Sequence, residues 1–160
     1  MCSSDLMETR VGVISDTHGL LRPEAVAALQ GSHLIVHAGD VGRPEVLDGL
    51  GRIAPTYAVR GNVDIEAWAR RLPATQAVEV GPLLLWVLHD ACELDLDPVA
   101  AQFAAVIFGH SHKPSIETRD RVLYLNPGSA GPRRFRLPVT VARLRIVGTS
   151  IVPQIVALQV

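Results

Sequence analysis

"VGVISDTHG", residues 11–19, decides how this chain folds. Its first five residues (VGVIS, 11–15) are apolar and partly β-branched, too few for a helix, and read as a short buried strand. They run straight into a polar turn that carries Asp16 and His18. The same design recurs in "HLIVHAGD" (33–40) and "PTYAVRGNVD" (55–64), each a short strand ending in polar residues. Between them, "PEAVAALQG" (23–31) and "RPEVLDGLG" (43–51) have Pro near the start and Gly at the end, the punctuation of a helix. Strand, helix, strand in alternation implies parallel strands joined by crossover helices.

The second half changes character. "TQAVEVG" and "PLLLWVLH" (75–89) form a hairpin turning at Gly81-Pro82, and "DPVAAQFA" (97–104) reads as a short helix. "AVIFGH" (105–110) is another buried strand, "SIETRDRVLYLN" (115–126) a second hairpin, and residues 139–159 a final antiparallel pair turning at Gly148. The expectation is one α/β domain over residues 10–160, with two sheets of mixed direction and a flexible tail at 1–9.

Composition narrows the function classes. At 160 residues and 48% hydrophobic, the chain can bury one sizeable core and is not disordered. Its longest apolar runs are too short to cross a bilayer. A net charge of −1 leaves no broad surface for nucleic acid or anionic lipid. Cys2 and Cys92 make neither a disulfide framework nor a zinc ribbon, and the polar start "MCSSDLMETR" has no secretory h-region. Both features suit the cytoplasm; a homo-oligomer is compatible with all of this.

The polar residues gather at strand ends. Asp16 and His18 follow the first strand, Asp40 the second, Asn62 and Asp64 the third, His89 and Asp90 the fifth. "FGHSH" (108–112) adds His110 and His112, which an extended backbone would project to one side. In open α/β sheets, the crevice beyond the carboxyl ends of the strands is where ligands bind. Taken singly, these residues are turn formers and caps, and His33 and His37 read as structural. Together they form a mixed oxygen and nitrogen set, which suits manganese, iron, cobalt, nickel or zinc better than magnesium or calcium. Seven ligands exceed one tetrahedral ion but serve two, and two ions about 3.5–4 Å apart can activate water and clamp a phosphoryl group. Gly39, Gly61 and Gly109 each precede a candidate ligand where backbone must come close.

As a set, "D-x-H" (Asp16, His18), "G-D" (Asp40), "G-N" (Asn62), His89 and "G-H-x-H" (His110, His112) resemble the calcineurin-like metallophosphoesterases. The small size, "GNVD" and "NPGSAG" are similar to their compact bacterial and archaeal phosphodiesterase branch. The resemblance implies a four-layer αββα sandwich of two mixed β-sheets. It implies Asp16, His18 and His112 on one metal, with Asn62, His89 and His110 on the other and Asp40 bridging. Asp40, Asn62 and His110 take catalytic as well as ligating roles. The expected cofactors are two divalent transition-metal ions, manganese first, with nickel, iron, cobalt or zinc as substitutes. The expected reaction is attack of a metal-bridging hydroxide on a phosphoester, a diester before a monoester, with Arg133 or Arg134 reaching a phosphate oxygen.

Two positions depart from the family pattern. Val63 stands where many members carry a histidine after Gly-Asn, so Asp64 becomes an alternative proton source. Asp90 and Ala91 stand where Gly usually follows the lone histidine, which weakens the expectation for the second metal. The alternative reading is a protein-binding scaffold resembling the retromer subunit built on this fold.

Overall fold

The computed structural model describes residues 8–160. Among these residues, ten strands form two five-stranded sheets. The first contains β1 (Glu8–Ile14), β2 (Leu34–His37), β3 (Thr56–Ala58), β9 (Thr140–Val147) and β10 (Ser150–Ala157) in the order β10-β9-β1-β2-β3. The second contains β4 (Thr75–Val80), β5 (Leu83–Leu88), β6 (Ala105–Ile107), β7 (Ser115–Arg119) and β8 (Val122–Asn126) in the order β4-β5-β6-β8-β7. Both sheets are mixed. β1 runs parallel to β2 and antiparallel to β9, while β5, β6 and β8 run parallel between antiparallel neighbours β4 and β7.

Side-chain alternation builds the layers. Val11 and Val13 of β1 and Val36 of β2 join Leu85, Val87, Ile107 and Leu125 of the other sheet in the core between sheets. The opposite-facing Ile14 and Ile35 pack with Ala25 and Leu29 of α1 (Pro23–Leu29) and with Val46 and Leu50 of α2 (Pro44–Gly51). Both helices begin with the expected proline, which presets φ and lacks only an N–H that the first turn cannot use. Residues 91–104 cover the second sheet, where Leu94 packs on the Leu88, Val106 and Val122 cluster and Phe103 meets Trp86, with ring centroids 5.1 Å apart.

Two boundaries differ from expectation. β1 starts at Glu8, because Glu8 and Thr9 pair with Val147 and Ile146 of β9; residues 1–7 of the expected tail lie outside the described residues. The stretch 97–104 is a set of turns rather than a helix. Ala101 N–H does bond the Asp97 carbonyl, but Gln102 takes φ +63° and Phe103 N–H bonds the Pro98 carbonyl. The left-handed residue ends the helix after one turn and sends Phe103 toward Trp86.

Candidate metal centre

The carboxyl ends of β1, β2, β3, β5 and β6 open toward one edge, and each is followed by expected site residues. Asp16, Asp40, His89 and His112 are buried there. Their carboxylate and imidazole atoms form two overlapping triads, Asp16/His18/His112 and Asp16/Asp40/His89, in each of which all donor atoms lie within 4.8 Å of one another. Asp16 Oδ1 is 3.3 Å from His112 Nε2, 3.8 Å from His89 Nε2 and 3.9 Å from His18 Nε2. Asp40 Oδ2 is 3.2 Å from His89 Nε2 and 3.7 Å from His18 Nε2. Both carboxylates therefore lie between the imidazoles, and Asp16, expected in one site alone, belongs to both triads.

His110 and Asn62 stand apart from this tight cluster. His110 is half-exposed, packs edge-on to His89 with centroids 5.2 Å apart, and has Nε2 3.8 Å from Asp90 Oδ2. Asn62, His89, Asp90 and His110 share the wall of one cavity of about 470 Å³, with Glu93 and Asp95 beside them. The histidine pair is not carried on an extended segment. His110 and His112 have φ +74° and +65°, so the backbone bends at each and turns the two rings in different directions.

Backbone strain concentrates here. Of nine non-glycine residues with positive φ among those described, five are Asp16, His18, Asp40, His110 and His112. Such conformations cost about 1–3 kcal/mol each and persist only where surrounding contacts enforce them. Those contacts are visible. Asp16 Oδ2 accepts from Ser15 Oγ (2.7 Å) and His110 N–H (3.1 Å), while its carbonyl accepts from Ser129 Oγ (3.0 Å). The Asn126 amide donates to the Gly109 carbonyl and to Ser111 Oγ, both at 3.1 Å, and so braces the histidine loop. Asp64 Oδ2 accepts from Val41 and Gly61 N–H (3.0 and 2.8 Å) and its Oδ1 from Gly42 N–H (3.0 Å). Both carboxylate oxygens are thus committed to tying two loops together, and Asp64 is a brace rather than the proton source the sequence suggested.

The histidines outside the cluster are structural, as expected. His33 Nδ1 accepts from Arg10 N–H at 2.9 Å. His37 Nδ1 accepts from Gly39 N–H (3.1 Å), and its Nε2 lies 3.0 Å from Thr17 Oγ1, which itself donates to the Val41 carbonyl. Burial drives the His37 pKa down to about 3, so this ring is a neutral spacer beneath the site.

The donor set fits a cation. Asp16 Oδ1, His18 Nε2, His89 Nε2 and His112 Nδ1 are buried and lack hydrogen-bond partners. Native proteins rarely leave such atoms unpaired, because each costs about 1–3 kcal/mol. His89 Nδ1 lies 2.8 Å from the Ala38 carbonyl, which can only accept. Nδ1 therefore carries the proton, the orienting bond typical of a metal-ligating imidazole. Burial raises the Asp16 pKa despite the Ser15 hydrogen bond and the neighbouring His89 and His112. Burial also opposes ionisation of Asp40, but the neighbouring His89 imidazole and the Val63 N–H hold its carboxyl below the ordinary value. The mirror effect raises His89, where Asp40 and then Asp16 outweigh burial. His112 is pushed down, first by burial and further by the Arg134 and His18 charges, against the pull of Asp16.

Sequence reading missed Ser15, Thr17, Asn126 and Ser129 as supports. Asn126 and Ser129 lie in "NPGS", a strand-end cluster like those that carry ligands.

Comparison with known proteins agrees with this geometry. The model of the calcineurin-like phosphoesterase superfamily domain matches residues 9–149. A probable metallophosphoesterase of Methanothermobacter thermautotrophicus is 33% identical over 158 residues, covering 91% of this chain and 91% of that protein. Two solved structures share the fold. A novel archaeal phosphodiesterase superposes with TM-score 0.77 at 22% identity, covering 92% of this chain and 100% of that one. Vacuolar protein sorting 29 from Cryptosporidium parvum gives 0.80 at 18% identity, covering 95% and 92%.

Proposed function

This chain belongs to the calcineurin-like phosphoesterase superfamily, and on that premise we propose that it is a dinuclear metal-dependent phosphodiesterase of the cytoplasm. The observation that carries the reading is the pair of overlapping triads, Asp16/His18/His112 and Asp16/Asp40/His89, whose donor atoms lie within 4.8 Å of one another in each. Asp16, His18 and His112 would hold one ion, His89 with Asn62 and His110 the other, and Asp40 would lie between them. Bound there, two divalent ions, manganese first, would supply an activated water at neutral pH and neutralise charge on the phosphoryl group.

The chain's own residues set up that chemistry. Ser15 and His110 N–H hold one oxygen of Asp16 so that the other faces the imidazoles. Ala38 fixes the His89 tautomer, and Val63 N–H holds Asp40 Oδ1 at 3.1 Å so that Oδ2 faces the histidines. The wall holds three carboxylates, Asp90, Glu93 and Asp95, against one cation, Arg60, and this negative balance disfavours a dianionic monoester more than a monoanionic diester. That asymmetry is the support for diester preference.

The competing reading is a binding scaffold, on the strength of the shared vacuolar protein sorting 29 fold. The large exposed apolar side chains are scattered over loops (among them Val63, Ile65 and Phe135) and over the edge strands β3, β7 and β10 (Tyr57, Ile116, Val152). Among the described residues, no helix is long and apolar enough to cross a membrane. Turnover of bis-p-nitrophenyl phosphate and p-nitrophenyl phosphate with manganese, and after chelation, separates the readings. The diester should be cleaved faster, and chelation should abolish both reactions. A purified protein that binds no metal and cleaves neither ester would be the scaffold.

A further inference from the structure

Phe135 is 89% exposed, the highest value among the large apolar side chains described, and it holds φ +54°. With Ser111, Lys113, Arg134, Arg136 and Leu137 it lines an open cavity of about 770 Å³, within the usual range for small-molecule sites. Ser111 sits between His110 and His112, so this cavity adjoins the metal centre. Its lining contains three cations and no carboxylate, and none of the three forms an ion pair among the described residues. The separate cavity beside His110 carries Asp90, Glu93 and Asp95 against one cation, Arg60, whose guanidinium donates to the Leu72 carbonyl. The site is therefore polar in the electrical sense, acidic beside His110 and basic with an aromatic platform beside Ser111.

We propose that the Phe135 side receives a nucleotide arm of the diester, its base stacked on Phe135 and a further phosphate held by Lys113, Arg134 and Arg136. This rests on the phosphodiesterase reading and names its substrate class. A lone exposed ring costs hydration free energy and a bare cationic rim repels itself; a planar, anionic arm relieves both. Every nucleobase offers a π-face to such a ring, and arginine flanks add charge attraction to the phosphate. The net negative cavity beside His110 would disfavour the same arm there and so fix its direction.

The test measures binding of 5′-AMP, ribose 5-phosphate and adenosine 3′,5′-bisphosphate to the manganese-loaded protein by calorimetry, alongside turnover of bis-p-nitrophenyl phosphate. AMP should bind about tenfold more tightly than ribose 5-phosphate, the effect of one stacked base. Phe135→Ala should erase that ratio and Phe135→Trp should keep it; Phe135 is exposed, so neither should disturb folding. Arg136→Ala should shrink the advantage of the bisphosphate over AMP. Equal affinities for AMP and ribose 5-phosphate in the wild type, or a ratio that survives Phe135→Ala, would overturn the proposal. If that happens while the diester is still cleaved, only the nucleotide inference falls. A ring-dependent affinity without turnover would sink the esterase reading and, with it, the diester, leaving Phe135 in a nucleotide-binding site only. Absence of phosphate binding and of turnover would remove both.

Discussion

Val63 sits at the rim of the metal centre, 44% exposed, with only its backbone engaged: its N–H donates to Asp40 Oδ1 at 3.1 Å. The side chain cannot give a proton to a departing alkoxide, and Asp64 behind it has both oxygens occupied by backbone N–H groups. General acid catalysis contributes about 10²–10⁴-fold when the leaving group is poor. The rate should therefore fall steeply as leaving-group pKa rises, with nitrophenyl diesters cleaved well and alkyl diesters slowly. Val63→His should flatten that dependence, accelerating alkyl esters more than nitrophenyl esters. A plot of log rate against leaving-group pKa for both proteins checks this, and a shallow wild-type slope would show that an acid already operates. Val63 was legible as a departure because it stands inside a motif. The role of Asp64 was not, since its three partners are main-chain groups from two loops that only the fold brings together.

At the scale of elements, the loops after the strands matter more than the strands. Gly109 shows why: a Cβ there would collide with Ser15 Oγ and stand 2.6 Å from Asp16 Oδ2, displacing the pair that orients Asp16. Gly61 meets Asp40 in the same way. Gly109→Ala should lower stability by about 1–3 kcal/mol, the usual cost of overpacking. It should also weaken manganese binding about 10–100-fold, the range for disturbed support of a ligand. Thermal denaturation of the metal-free variant and a metal titration measure the two effects; an alanine protein unchanged in both would show that the close approach is dispensable. The strands and both helices were readable because apolar runs and Pro/Gly punctuation are local signals. The histidine loop was misread as extended because left-handed backbone at His110 and His112 is imposed by contacts with Asp16 and Asn126, distant in sequence. The 97–104 stretch failed as a helix for a similar reason, since Phe103 is drawn onto Trp86 of β5.

Over the whole molecule, two sheets bury one core between them and deliver their carboxyl ends to a single edge, where buried carboxylates face buried imidazoles. The candidate residue types and their order along the chain were legible in the sequence, and the structure gathers Asp16, His18, Asp40, His89 and His112. Their grouping was only partly so, because the order of strands in each sheet decides which loops are neighbours. That order places Asp16 in both triads and leaves Asn62 and His110 on a more open wall. Two affinities should follow, with the enclosed site tighter than the open one. Asp40 and its neighbours would hold two ions that together cleave a phosphodiester. Calorimetric titration of manganese into the metal-free protein, repeated with Asp40→Asn and paired with diester turnover, tests it most directly. Two ions per chain with separable affinities are expected in the wild type, with a joint fall in stoichiometry and rate when the Asp40 charge is removed. Asp40→Asn protein that still binds two ions and cleaves the diester at a near-normal rate would contradict that expectation.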